Sequence, residues 1–590
     1  MEDVIENKTN LLDILNCIGI KIEAICGAKG KCGKCKVIIE NPNAANQITF
    51  QEKKILSKEE IDSGIRLSCL VRPLEDISII IPDSSLQKEQ RILCEGISRK
   101  IDIEPLIKKN KIKISKPMLG GEDSFFNYIN KELKSELKID YNTLIKMNDA
   151  INYEVLETNL IIFKDEIIDL LKDEDKIYGI SVDIGTTTVV VYLIDLETGA
   201  QIDVESILNP QMKYGEDVIS RITYSLEKGV SDLHHSIIGG INLMIKKLCD
   251  RNHIDINSIY EMTAVGNTAM HHIFLNIIPK SLSVSPFTPV ISKGLDIKAR
   301  DLNIKINSSG NVHVLPIISG FVGADTLGVL LATGLYKKDE ISLAIDIGTN
   351  GELVLGNKDK MVSCSCAAGP ALEGGHLNFG MRASSGAIES IFIEKNSLDS
   401  FYKTINNSSP RGICGSGVID LVAEMLRVGI LDNSGKIIEN GNERIRKNIS
   451  NNQKEFVVEW KQKTDIGKDI VVTASDIREI QLAKGAIMTG VNILLEKLDI
   501  KVNDIDNLYL AGAFGNYIDV NNAIKIGLIP DIPLEKIKSV GNAAGEGAKI
   551  SLLSRKMRCE EDIIIKKIDY IELASEKNFN AEFINSLKFP

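Results

Sequence analysis

The sequence predicts a multidomain chain of mixed α+β and α/β class, and three observations carry that prediction. Four cysteines, Cys26, Cys32, Cys35 and Cys69, stand with five, two and thirty-three residues between them. The turn DIGT occurs twice, at 183–186 and at 346–349. At 590 residues the chain is too long for one hydrophobic core. A hydrophobic share of 44% with 26% charged residues is that of an ordinary globular protein. The net charge of −11 argues against a nucleic-acid partner, since phosphate binding wants a basic face. No apolar run approaches the roughly 18 residues that would span a bilayer, and residues 1–15 are acidic with no signal-peptide pattern. A cytoplasmic chain with no membrane contact is expected, its 11 cysteines thiols or metal ligands rather than disulfides.

Residues 1–88 form the first expected domain. The run CGAKGKCGKC at 26–35 packs three soft ligands among small residues, which lets backbone N–H groups approach bridging sulfides. Cys69, in RLSCLVRP, is placed to supply the fourth ligand of a 2Fe–2S cluster. A zinc site usually presents two matched CxxC pairs, and only one tight pair occurs here. A helix is expected over 11–19 with Cys17 buried on its apolar face, then a strand over 36–40, a short helix over 57–63 and a strand over 77–81. Cys94 has no partner nearby in the sequence and is assigned no role.

Residues 89–124 read as a solvated linker, because Lys108, Lys109, Lys111, Lys113 and Lys116 crowd together ahead of Gly120 and Gly121. A small middle domain follows over 125–175. Phe126, Ile129, Leu133 and Leu137 keep helical spacing within 125–151, and 155–164 alternates as a strand.

Residues 176–590 form the last expected domain. Strand–DIGTTT–strand over 177–195 is repeated as strand–DIGTNG–strand over 343–356, and two such turns with matching flanks make an ordinary hairpin a poor explanation. Gly185 and Gly348 would let backbone approach phosphate oxygens. Thr186, Thr187, Thr188, Thr349 and Asn350 supply N–H and side-chain donors. Asp183 and Asp346 can hold Mg²⁺ through water, which makes ATP with Mg²⁺ the expected ligand. In LYLAGAFGNY at 508–517 an apolar strand leads to Gly512, Ala513, Phe514 and Gly515, against whose backbone a base or ribose could lie. The preceding helix, over 476–498, turns Ile477, Ile480, Ala483, Ile487, Val491 and Leu494 inward.

The cysteine pattern resembles adrenodoxin-like and plant-like ferredoxins, which implies a β-grasp fold. Such domains open with a β-hairpin, whereas only about eight residues precede the first helix here. Either a strand is lost or the true start lies upstream, and a lost strand would leave 77–81 short of a pairing partner. From 177 to 590 the turns and the 508–517 strand resemble the acetate-kinase, sugar-kinase, Hsp70 and actin superfamily, which implies two ribonuclease-H-like lobes closing over ATP. Further stretches are more particular: NPQMKYGEDVISRI at 209–222, VGNTAMHH at 265–272, GFVGADTLG at 320–328, CAAGPALEGG at 366–375 and ICGSGVIDL at 413–421. With the cysteine-rich start, these resemble the reductive activators of corrinoid-dependent enzymes. The resemblance implies ATP-dependent conversion of inactive Co(II) corrinoid to Co(I). It also implies a corrinoid protein as partner and an electron donor such as a ferredoxin or flavodoxin, and leaves a homodimer open. Archaeal relatives add an eight-cysteine ferredoxin; past Cys414 this sequence has only Cys559.

Several residues carry two readings. His271 and His272 are expected as satisfied histidines rather than cobalt ligands, and Cys364, Cys366 and Cys414 as small buried residues beside glycine turns rather than a second cluster. Asp325 and Glu373, in glycine-rich loops, join Asp183 and Asp346 as catalytic candidates able to orient water or Mg²⁺. Two other functions stay open: an ATP-dependent electron-transfer activator of a dehydratase, and a small-molecule kinase or ATP-using hydrolase with a regulatory cluster.

Overall fold

The computed structural model describes residues 10–18, 20, 22, 28, 30, 33, 35–82, 85, 96–97, 99–115, 124–150, 155–171, 175–448 and 452–590. The expected loss of an opening strand falls on 1–9, and Cys26, Cys32, Cys94, Lys116, Gly120 and Gly121 also lie outside these residues.

The first unit is a three-stranded antiparallel sheet in the order Ile65–Leu67, Lys36–Ile39, Ile79–Ile80. Helix Leu11–Cys17 packs Leu11, Leu12 and Leu15 onto Val37, Ile39 and Leu67. Cys17 is exposed, which corrects the expected burial: at about 100° per residue it lies on the face opposite those leucines. The last strand pairs on one side, Ile80 and Ile79 with Ile38 and Ile39, and is an edge strand among the described residues. Ser57 and Glu60 form a capping box that starts helix Lys58–Asp62.

The segment read as a linker is not one throughout. Residues Ile107–Ser115 form a strand in a four-stranded sheet with Val155–Phe163, Glu166–Leu171 and Lys138–Ile139. Its lysines hid the strand, since Ile107 and Ile112 are buried while Lys108 and Lys111 point to solvent. The expected helix over 125–151 is two, Phe125–Leu133 and Tyr141–Ala150, because Lys134 turns left-handed and Lys138–Ile139 joins the sheet. Leu160 and Ile162 face those helices. Ile161 and Phe163, on the opposite face, pack on Tyr192, Ile194, Leu552 and Leu553 of the large domain. Both faces are therefore covered, which explains the unbroken apolar run 160–163. Upstream, Gly96 bridges Gly541, and Arg99 Nη1 donates to Leu331 O (3.3 Å), so this stretch too runs along the large domain.

The large domain is two lobes of one plan. In the first, Gln201–Leu208, Thr188–Asp195 and Tyr178–Ile184 form an antiparallel meander, and Ile259–Gly266 and then Asn311–Val314 add in parallel. In the second, Met361–Cys366, Gly351–Gly356 and Ser342–Ile347 repeat the meander, with Asn507–Ala511 and Ile537–Gly541 parallel beside it. Each sheet carries one extra edge strand, Leu295–Lys298 and Ile568–Tyr570. The six apolar positions expected on the helix after 475 are all fully buried on Ala474–Leu498. Helices Ala324–Thr333 and Ala543–Leu553 cross between the lobes, where a Cβ on Gly547 would fall 2.1 Å from Gly328 O. No helix of the described residues is long and apolar enough to cross a membrane.

Candidate functional site

Lys36 and Leu67 are register partners, so Cys35 and Cys69 emerge from the same end of the first sheet. Ser68 N donates to Cys35 O (2.8 Å), and the Cys35 and Cys69 sulfurs lie 3.3 Å apart. That is far beyond the roughly 2.05 Å of a disulfide, and it suits two thiolates turned toward one soft metal. The approach to Cys69 is held by Glu52, fully buried, which accepts from Arg66 Nε (2.8 Å), Arg66 Nη2 (3.1 Å) and Leu67 N (3.1 Å). Burial works to raise the pKa of Glu52, but the Arg66 guanidinium and the backbone donors hold it below the usual carboxylate range. Gly30 and Gly33 take left-handed backbone (φ 63° and 68°), and a Cβ there would meet Leu70 at 2.7 Å and Ile55 at 2.8 Å. The donor set thus fits a 2Fe–2S cluster at the two cysteines that are described.

The second centre is a cavity of about 260 Å³ between the lobes. Both DIGT hairpins open into it: Asp183, Gly185, Thr186, Thr187 and Thr188 from one, Asp346, Gly348, Thr349 and Asn350 from the other. The second turn is one residue shorter, as the registers Ile184–Val189 and Ile347–Gly351 show. Glu373 ties the two together, accepting from Thr187 Oγ1 (3.2 Å) and Thr349 Oγ1 (3.0 Å). It is the last residue of the short turn Pro370–Glu373, beside Gly374 in left-handed backbone.

The stretches singled out in the sequence converge here. Asn209 Nδ2 donates to Gly185 O (2.7 Å), and Arg221 Nη2 to Thr186 O (2.5 Å). Asn267 Nδ2 donates to Thr186 Oγ1 (2.9 Å). Asp325 stands in the first turn of Ala324–Thr333, its carboxylate accepting from Thr326 N (2.7 Å). Cys414, Gly415 and Ser416 line the wall at the start of helix Gly415–Val428. Gly512 lines the cavity with φ 81°, and a Cβ there would sit 2.6 Å from Asp346 Oδ1. Gly515 instead packs against Leu510 of the preceding strand, 3.0 Å from a would-be Cβ. Ala513 and Phe514 fall in helix Gly512–Tyr517, and only their backbone is described.

Electrostatics mark the floor of the cavity. Burial, and then the charge of Asp325, push Asp183 up to about 7. Burial followed by Asp325 and Asp183 does the same for Asp346, and burial raises Asp325 to about 6. Three carboxylates that repel one another in a desolvated pocket fit a divalent cation, whose charge would relieve them. Glu352, the register partner of Asp346, is raised well above its ordinary value by burial and then by Asp325 and Asp346. The sequence reading missed it, although it directly follows the second turn; its register counterpart in the first hairpin is Val190. Asn267, Ser416 and Tyr517, which fall in the stretches singled out, also line the cavity, as do Arg382, Glu389 and Asn542, which fall in none of them.

His272 is satisfied, with Nδ1 on Thr268 O (2.8 Å) and Nε2 accepting from Val290 N (2.9 Å). His271 departs from expectation. It is buried with neither ring nitrogen hydrogen-bonded, and burial, then His272, lower it to about 3, so it stays neutral. Cys364, Cys366 and Cys414 are buried, and no three His, Cys, Asp or Glu side chains are set to ligate a metal directly among the described residues, so a cation at the three aspartates would be held through water.

Three family models match the chain: "2Fe-2S iron-sulfur cluster binding domain" over 2–74, "RACo middle region" over 178–338, and "C-terminal domain of RACo the ASKHA domain" over 340–590. The chain is 34% identical over 593 residues to the "Corrinoid activation enzyme RamQ" of Eubacterium limosum, covering 98% of this chain and 95% of that protein. It is 28% identical over 444 residues to the "[Co(II) methylated amine-specific corrinoid protein] reductase" of Methanosarcina barkeri, covering 70% and 77%. A solved structure, "Reductive activator for corrinoid,iron-sulfur protein", superposes with a TM-score of 0.74 at 36% identity, covering 100% of this chain and 96% of that one.

Proposed function

This chain belongs to the reductive activators of corrinoid proteins, and from that premise we propose how its two centres divide the work. The activity is ATP-dependent reductive activation: an electron is delivered to a Co(II) corrinoid protein, returning it to Co(I). The observation that carries the reading is the pairing, on one chain, of two thiols 3.3 Å apart with a carboxylate-floored cavity framed by two phosphate-type hairpins.

Cys26, Cys32, Cys35 and Cys69 hold the 2Fe–2S cluster, which supplies one-electron chemistry when bound. ATP lies between the hairpins, its phosphates reached by the N–H and hydroxyl donors of Thr186, Thr187, Thr188, Thr349 and Asn350. The nucleoside rests near the backbone at 512–515. Asp183, Asp325 and Asp346 are the residues that would hold Mg²⁺, and Glu373 orients the phosphate end by gripping both hairpins. Such an arrangement answers an energetic need. Co(I) corrinoid is a very strong reductant, and each 59 mV of uphill one-electron transfer costs about 1.4 kcal/mol. A gap of several hundred millivolts is on the order of 5–10 kcal/mol, which lobe closure on ATP can offset by favouring one state of the partner over the other. A ferredoxin or flavodoxin as donor, a homodimeric assembly and a cytoplasmic setting complete the proposal. So does a division into a cluster domain to about 88, a middle domain that takes in the strand from Ile107 and ends near 175, and the ATP domain beyond.

The test is spectroscopic. The holoprotein, a chemical reductant and Mg-ATP are added to a Co(II) corrinoid protein, and the Co(I) absorption is followed. Co(I) should form only when all three are present. Equal Co(I) formation without ATP would overturn the proposal, and ATP turnover on a diffusible substrate without any corrinoid protein would favour the kinase alternative.

A further inference from the structure

The cavity between the lobes is lined by six carboxylates, Asp183, Asp325, Asp346, Glu352, Glu373 and Glu389, and by a single basic side chain, Arg382. Arginine among so many acids would be expected to pair with one. Yet no hydrogen bond or ion pair to the Arg382 guanidinium occurs among the described residues. Its backbone, by contrast, is fixed. Met381 N donates to Ile413 O (3.0 Å), and Gly380 bridges Ile413. Ser384 O accepts from Ala387 N (2.9 Å). On the other side the chain presses on the turn that carries Glu373, where a Cβ on Gly374 would fall 2.3 Å from Met381 O. Arg382 therefore directly follows a residue pressed against Gly374, the chain neighbour of the residue that grips both hairpins. It also comes close enough to Arg221 for their charges to oppose each other, and Arg221 holds the Thr186 carbonyl of the first hairpin. One guanidinium held on the first hairpin, with a second near it that is unpaired among the described residues and lines the acidic cavity, leaves a gap that an anion satisfies.

We infer that Arg382 is a catalytic residue of ATP hydrolysis, its guanidinium contacting the terminal phosphate and stabilising the charge that gathers there as the phosphate is transferred to water. This rests on the ATP reading above. In the step, a water oxygen bonds to the γ-phosphorus while the bond from that phosphorus to the β–γ bridging oxygen breaks. ADP departs with the electron pair of that bond, and both hydrogens of the water leave on phosphate as H₂PO₄⁻. A donor aimed at the transferring group acts on the transition state more than on bound nucleotide, because ADP lacks the phosphate it reads.

The experiment compares the unaltered holoprotein with Arg382→Ala and Arg382→Lys, following phosphate release with Mg-ATP and equilibrium binding of ADP. The 2Fe–2S absorption serves as a check that each variant is folded. Arg382→Ala should lower kcat about 10²- to 10³-fold with ADP affinity within about twofold of the unaltered chain, and Arg382→Lys should recover about a tenth to a hundredth of full activity. A kcat within about threefold of the unaltered chain, or a raised KM with unchanged kcat, would overturn the inference. Failure of the unaltered chain to bind ADP or ATP at all would instead remove the nucleotide reading beneath it.

Discussion

Substituting Gly512 by alanine perturbs the cavity floor without touching a charge. Gly512 has φ 81°, a conformation that costs an alanine about 1–2 kcal/mol. The new Cβ would lie 2.6 Å from Asp346 Oδ1, where ordinary contact begins at 3.4 Å, so the carboxylate must retreat by roughly 0.8 Å. Misplacing a phosphate-site group by about 1 Å costs about 10²-fold in rate. Gly512→Ala should therefore lose 1–2 kcal/mol in urea unfolding (order of magnitude) and about two decades of Mg-ATP hydrolysis, with the 2Fe–2S absorption unchanged. Gly441→Ala is the matched control: φ is 83° and nothing lies within 4 Å of its Cβ, so stability should fall alike while hydrolysis stays intact. Wild-type hydrolysis by Gly512→Ala, or equal loss in both variants, would refute the placing of Asp346 at the phosphate end.

Other outcomes follow from the geometry. Cys69→Ser should abolish the visible absorption and the EPR signal of the reduced cluster while ATP hydrolysis persists; a preparation carrying stoichiometric zinc and no iron would refute the cluster. Glu373→Gln leaves only one acceptor between Thr187 and Thr349, and the loss of one hydrogen bond to a charged group, about 1.5–3 kcal/mol at most, should slow hydrolysis about tenfold. His313 is buried between Asp296 (Nδ1, 2.8 Å) and Glu561 (Nε2, 3.1 Å), with Arg558 opposing them and Lys164 on the far oxygen of Asp296. Burial and Arg558 lower its pKa, but the two carboxylates win and raise it above the ordinary 6.5. Its contribution is therefore full below 6.5 and is lost as pH rises through the higher folded value. The urea midpoint should fall as pH rises above 6.5, and His313→Asn should flatten that slope.

The sequence made the cleft legible because its chemistry is local. A DIGT turn carries its carboxylate, its glycine and its hydroxyls within a few residues, and both turns reached the same cavity. What could not be read was the contribution of residues whose meaning comes from pairing at a distance. Arg221 supports a turn 35 positions away, and Glu52 braces the approach to Cys69 through a buried arginine that looks like surface charge in the sequence. The strand at Ile107–Ser115 was obscured for a related reason. Its lysines are interspersed with the buried Ile107 and Ile112 on both sides of a strand whose partner Val155–Phe163 lies about 50 residues downstream, so nothing nearby disclosed its buried positions. Cys17 is the opposite case: the apolar stripe of its helix suggests burial, and the angle places it outside.

Helices Ala324–Thr333 and Ala543–Leu553 meet backbone to backbone at Gly328 and Gly547. A crossing made by side chains locks, because ridges seat in grooves and must climb out to turn. A crossing whose point of contact is backbone, with alanines beside it, has shallower teeth and would turn more easily, as a bearing does. Asp325 sits one turn from it on one shaft, and Asn542 caps the other shaft while lining the same cavity. On the proposed placing of ATP, a tightening around its phosphates would pull on both shafts next to their pivot, and a small stroke made there would be magnified at the rims of the lobes.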